Sequence, residues 1–164
     1  MKVVADASVL IALSTIRQLT LLVERFPQGI VIPQAVWREV VEQGRGRPGA
    51  QDVAMAPWVT VQNAAPSGIR QLLLAELEVG EAEAIALAHE ISADLILLDE
   101  RDARQTAARL GLRSLGTIGI LIWAKQSNRL LQLRPTLDAL QQSSFRISRS
   151  LYIQALAVVG EKTT

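Results

Sequence analysis

The chain has 164 residues, 49% apolar and 4% aromatic, which suits one domain with a sizeable aliphatic core. A formal charge of +1 excludes a polybasic nucleic-acid binder but leaves room for a compact basic groove. With no cysteine and a single histidine, His89, the sequence excludes disulfides, thiolate metal sites, cysteine nucleophiles and His-rich metal centres. The basic residues are mostly Arg, whose fork suits phosphate, although a GC-rich genome produces the same skew.

The opening "MKVVADASVL" is interrupted by an acid too early for a signal peptide, and the longest apolar stretch, "IGILIWA", is far too short to cross a membrane. A cytoplasmic protein is expected.

Residues 2–5 read as a short buried strand, followed by a helical pattern from about Ser8 to Arg25. "GIVIP" reads as a second strand, with Pro33 placed to start a helix. That helix carries Val36, Trp37, Val40 and Val41 at helical spacing and stops at Gly44. "GRGRPGAQ" reads as loop and "WVTVQ" as a short strand. Helices are expected near 67–77 and 81–91, separated by Gly80.

"DLILL" is the strongest strand, unbroken as a strand buried on both faces should be. A helix over about 100–110 ends at Gly111, "LRSLG" is a last short strand, and "TIGILIWAKQ" a buried helix. From about Pro135 the chain holds two amphipathic helices, expected to pack on the domain or to form an interface. Strands alternating with helices indicate an α/β fold, with a parallel sheet covered on both faces.

In such sheets ligands sit beyond the carboxyl ends of the strands. Asp6 ends the first strand and Asp99 ends "LILLD", so two carboxylates reach the same edge. Either could instead cap a helix, and "DERD" puts Asp102 at the third position of a capping box begun by Asp99.

Glu81 falls on the apolar stripe of its helix with Ala84, Ile85 and Ala88, while Glu83 and Glu90 fall on the polar face. An unpaired inward carboxylate is costly, so Glu81 calls for a cation, and its stripe holds no Lys or Arg. Glu39 lies on a helix flank, about 130° from the apolar centre. Converging carboxylates without Cys or His describe a site for a hard cation such as Mg²⁺ or Mn²⁺, which can activate water at a phosphate.

The stretches "VVADASVLIALS", "VIPQAVWREV", "GEAEAIALA", "LILLDERDAR" and "LGLRSLGTIGILIWAK" carry a family resemblance. The chain resembles PIN domains, the Mg²⁺-dependent nuclease fold of VapC-type toxins. It is most similar to a subgroup of predicted nucleic-acid-binding PIN proteins. The resemblance implies a three-layer fold with a central parallel sheet of about four or five strands and helices on both faces, spanning 1–164.

It also implies catalysis by Asp6, Glu39, Glu81 and Asp99, with Asp6, Glu81 and Asp99 holding one or two Mg²⁺ or Mn²⁺ ions. Ser8, Asp102, Thr117 and Arg104 are accessory candidates. For Thr117 a helix cap, for Gly119 a close helix contact and for Arg104 a surface pair compete with these roles. Glu81 departs from the Asp that many members carry at the third position, which alters the reach of the ligand.

The implied activity is hydrolysis of RNA phosphodiester bonds by the toxin of a toxin–antitoxin pair. RNA is then the substrate, and a small antitoxin and a homodimer are the expected partners. The alternative is a catalytically silent PIN-like module that binds nucleic acid or protein. Phosphotransfer folds fit worse, because Ser8 stands where a phosphatase needs a second Asp. The only mid-chain lysine, Lys125, lies in a helix pattern and not at the end of a strand, where a receiver domain needs it.

Overall fold

The computed structural model describes residues 1–162. Five short strands form one sheet: β1 (Val3–Ala5), β2 (Ile30–Ile32), β3 (Val59–Val61), β4 (Leu95–Leu97) and β5 (Ser114–Leu115). Their order is β3-β2-β1-β4-β5 and every pairing is parallel. The chain runs outward from β1 through β2 to β3, then returns to the other side of β1 for β4. The order therefore reverses between β1 and β4, and beyond their carboxyl ends lies the crevice where open α/β sheets bind ligands.

The alternation of side chains along the strands divides the core in two. Val3, Ala5, Ile30, Ile32 and Leu97 face α1 (Ala7–Thr15), α2 (Leu21–Arg25) and α8 (Thr117–Gln126). Val4, Ile96 and Leu98 face α6 (Val79–Glu90) and α7 (Arg101–Arg109), with α5 (Gly68–Glu76) packed over α6. The result is the expected three-layer α/β fold with its PIN-like parallel sheet. The tail helices α9 (Arg134–Gln142) and α10 (Arg149–Val158) bury Leu137, Leu140, Ala155 and Leu156 in the first core. No described helix is long and apolar enough to cross a membrane.

Four local expectations are corrected. The single helix over 8–25 is two helices, because Arg17 takes a left-handed conformation (φ 57°) and the Gln18 N–H reaches back to the Leu13 carbonyl at 2.7 Å. That closure satisfies the end of α1, while the apolar pattern runs on across it. The "GRGRPGAQ" loop ends at Gly49, and Ala50 already begins α4 (Ala50–Ala54). Gly80 lies inside the first turn of α6, the break falling instead at Leu77, whose backbone is extended.

The fourth concerns the helix after β2. It is α-helical only over α3 (Gln34–Trp37) and continues as a π-helical turn, Arg38–Glu42, closed by a 2.7 Å bond from the Gln43 N–H to the Arg38 carbonyl. Such a turn departs from the 100° step on which a helical stripe is counted.

Candidate active site

Asp6 follows β1 directly, its N–H held by the Leu97 carbonyl of β4 at 3.0 Å, so the sheet fixes it at the crevice. Its side chain is buried (5% exposed) and occupies the N-cap position of α1, yet makes no capping bond. Ser8 donates its hydroxyl to Asp6 Oδ2 at 3.1 Å. Burial raises the Asp6 pKa, the Ala7 and Ser8 N–H groups and the Ser8 hydroxyl offset part of the rise, and the Asp99 charge adds to it.

Glu39 reaches the same place from the π-helical turn. A Cβ added to Gly80 would sit 3.2 Å from Glu39 Oε1 and 3.3 Å from Asp6 Oδ1. Both carboxylates therefore close over the start of α6, where a methyl group would fit only tightly. Although Glu39 is largely exposed, partial desolvation and then the charges of Asp6 and Glu78 raise its pKa. Counted on an α-helical wheel, Glu39 belongs to the flank beside Val36, and α6 packs against that flank, bringing Gly80 to both side chains.

Glu81, the next residue of α6, is half-buried. Its pKa is pushed up to about 7, by burial first, then by the charges of Asp6 and Glu100. It has no cationic partner among the described residues. Glu83 contrasts with it. The polar-face reading of Glu83 is overturned: it is buried, and Arg70 of α5 clasps it with Nε and Nη2 at 2.7–3.1 Å. Glu90 is also engaged, accepting the Ala65 N–H at 3.1 Å. Sequence periodicity missed both pairings because the partners come from α5 and the segment before it.

Asp99 ends β4 and is bound in a different manner. Thr117, fully buried at the start of α8, donates both its N–H to Oδ1 and its hydroxyl to Oδ2, each at 2.7 Å. Burial raises the Asp99 pKa, while the two Thr117 bonds and the Arg104 charge pull it down. A Cβ on Gly116 would lie 2.9 Å from both Asp99 Oδ1 and Arg104 Nη1, so this position too is kept open for functional groups.

The capping readings are corrected here. Glu100, not Asp99, caps α7 by accepting the Ala103 N–H at 2.8 Å, and Gly116, not Thr117, stands at the N-cap of α8. Gly119 makes its close contact with the Leu115 side chain of β5. Asp102 is exposed on α7, its carbonyl accepting the Thr106 hydroxyl, and nothing draws its carboxylate toward the other acids. His89 is exposed on α6.

The sequence places Gly116 with Thr117 beside the acidic pocket, and the structure has it there against Asp99. Gly80 was missed as part of the site, although it directly precedes Glu81.

The donor set is all oxygen, which fits a hard cation and no soft one. Among the described residues no three acids close tightly enough to enclose an ion unaided. The arrangement therefore suits an ion held by one or two carboxylates that keeps waters, as Mg²⁺ does. A larger cavity, about 860 Å³, lies elsewhere, between the end of α1 and α4, and among the described residues Asp52 is the only acid lining it. Size and chemistry point to different places, and the chemistry is beside Asp6.

A family model described as PIN domain matches residues 2–161. No curated protein matches the chain. PIN domains are generally nucleases, and the parallel sheet with acids at its carboxyl edge is the nuclease-type arrangement. The chain belongs to the PIN-domain family.

Proposed function

We propose that the protein is a Mg²⁺- or Mn²⁺-dependent endoribonuclease of the cytoplasm, the toxin of a toxin–antitoxin pair. The observation that carries the reading is Asp6: a buried carboxylate without a cation, facing Glu39 and close enough to Glu81 and Asp99 for their charges to repel. A structural acid so placed would be paired, as Glu83 is. Asp6, Glu81 and Asp99 are the residues that would hold the ion, one or two of them directly and the rest through its waters. Bound there, a divalent ion supplies Lewis acidity, lowering the pKa of a water and neutralising charge on the phosphate.

The chain's own groups supply the rest. Thr117 fixes Asp99 by two hydrogen bonds, so that its carboxylate does not turn with substrate. Ser8 orients Asp6 in the same way by one. Glu81, whose pKa in the ion-free site is pushed up to about 7, would give up its proton as the ion binds and add its charge to the set that holds it. Arg104, beside Asp99, offers a guanidinium to a phosphate oxygen.

The test is cleavage of single-stranded RNA by purified protein. Cleavage should require Mg²⁺ or Mn²⁺, stop with chelator, and fall by several orders of magnitude in Asp6→Asn and Asp99→Asn. Activity surviving both substitutions would point to a contaminating nuclease. Binding of RNA without cleavage under any divalent ion would favour a silent PIN-like module, and a short reading frame beside the gene would support an antitoxin partner.

A further inference from the structure

The crevice continues past Asp99. Two clefts open on either side of its carboxylate, of about 400 Å³ and 300 Å³, and both are lined by Asp99 and Arg104. The larger runs along α7 past Arg101. The smaller runs over the start of α8 and beneath the connection between α9 and α10, which contributes Phe145 and Arg146. Gly116 forms the floor between Asp99 and Arg104, where a Cβ would touch both.

Charge and shape agree along this furrow. Arg101, Arg104 and Arg146 are exposed, and among the described residues none of them takes part in an ion pair. Among the residues lining the two clefts, these three guanidinium groups stand against one carboxylate, Asp99, while Glu100 and Asp102 of the same stretch line neither. Phe145 is half-buried, packed at the margin of the first core, and lines the cleft with its remaining surface. Arginines for backbone phosphate interleaved with an aromatic ring for bases are what a single-strand platform requires. The smaller cleft is at the low end of small-ligand sites. Its volume is on the order of one nucleotide, and the stacked bases of a duplex could not reach Phe145.

We propose that the α9–α10 connection forms a nucleotide subsite for single-stranded RNA, in which Arg104 and Arg146 hold a phosphate adjoining the scissile one and Phe145 stacks on its base. This assignment rests on the ribonuclease reading and deepens it. It gives the tail helices a task beyond packing: they carry a specificity wall to the edge of the active site. Arg146 and Phe145 are positioning residues, touching substrate away from the reacting bond.

The experiment is fluorescence anisotropy of an end-labelled eight-nucleotide RNA, in chelator so that nothing is cleaved, across a series of salt concentrations. Arg146→Gln should weaken binding several-fold and reduce the slope of log affinity against log salt by about 0.7, the share of one phosphate on a single strand. Phe145→Leu should weaken binding about tenfold with the slope unchanged, because stacking releases no counterion. Phe145→Tyr keeps both ring and packing and should bind as wild type does. A Tyr variant as weak as the Leu variant would mean that Phe145 acts through the fold, and would overturn its stacking role.

The two readings fail differently. RNA that is cleaved and bound by wild type, with the same affinity and slope in Arg146→Gln and Phe145→Leu, removes the subsite and leaves the nuclease. RNA neither bound nor cleaved by wild type removes both.

Discussion

The two strand ends that meet at the crevice hold their carboxylates in opposite ways. On the β1 side Asp6 is surrounded by acids, with Ser8 the one side chain that donates to it. On the β4 side Asp99 receives two short bonds from Thr117 and the field of Arg104. Burial raises both pKa values, but neighbouring charge pushes Asp6 further up and pulls Asp99 back. The β4 half is thus built into the fold, whereas the β1 half carries charge that the protein alone does not neutralise. A site that binds a cation needs both, a fixed ligand and an uncompensated one.

Truncation to alanine should separate the halves most clearly. Asp99→Ala leaves the buried Thr117 N–H and hydroxyl without an acceptor, and an orphaned buried donor costs about 1–3 kcal/mol. Asp6→Ala removes a desolvated, repelled charge; it loses the Ser8 hydroxyl bond and the field of the Ala7 and Ser8 N–H groups, but no well-formed capping bond. Its stability in chelator should stay within about 1 kcal/mol of wild type or rise. Denaturant unfolding of both variants checks this. Equal destabilisation would make Asp6 as structural as Asp99 and erase the contrast.

The two glycines sharpen the comparison at smaller scale. In Gly116→Ala the new methyl would meet Asp99 Oδ1 and Arg104 Nη1 at 2.9 Å and the Leu98 carbonyl at 3.3 Å. Asp99 is tethered by Thr117 and cannot easily yield, so a loss of about 1–2 kcal/mol is expected. In Gly80→Ala the contacts are 3.2 and 3.3 Å, to Glu39 and Asp6. Those side chains can shift by a few tenths of an ångström, and the helix gains up to about 1 kcal/mol from alanine. Gly80→Ala should therefore keep its stability while losing much of the melting-temperature rise that Mg²⁺ gives wild type. A Mg²⁺ response as large as that of wild type would place the ion away from Asp6 and Glu39.

Much of this is legible in the sequence. Short unbroken aliphatic runs mark the strands, and an acid at the end of two of them marks the carboxyl edge of the sheet. What stays hidden depends on geometry that periodicity does not encode. A wheel of 100° steps puts Glu39 on a flank, and only the packing of α6 against α3 brings Gly80 to that flank. The same wheel assigns Glu81 inward and Glu83 outward. Yet α5 covers the Glu83 side, so Glu83 is the more buried of the two and takes Arg70 as its partner. Arg146 and Phe145 lie more than forty residues beyond Asp99 in sequence, and only the packing of α9 and α10 returns them to it.

The smallest expected effect follows from Glu81, whose position on the uncompensated side shows in its titration. Its pKa of about 7 in the folded protein lies above the 4.5 of an ordinary glutamate. A carboxyl with a raised folded pKa binds more proton in the native than in the unfolded state throughout that window. By linkage, the contribution of Glu81 to native stability is full at and below about pH 4.5 and is lost as pH rises toward 7. Asp6, Glu39 and Asp99 are raised as well and act in the same direction, so the slope belongs to the cluster as a coupled group. Glu81→Gln cannot lose a proton, and it also lifts one repelling charge from Asp6. In chelator, melting temperatures between pH 4.5 and 8 should fall less steeply for Glu81→Gln than for wild type, with the gap opening as Glu81 ionises. Mg²⁺ binds the ionised acids, so its stabilisation of wild type should grow over the same range. Parallel profiles for wild type and Glu81→Gln would detach Glu81 from the acids around Asp6, leaving it a solvated first-turn residue like Asp102.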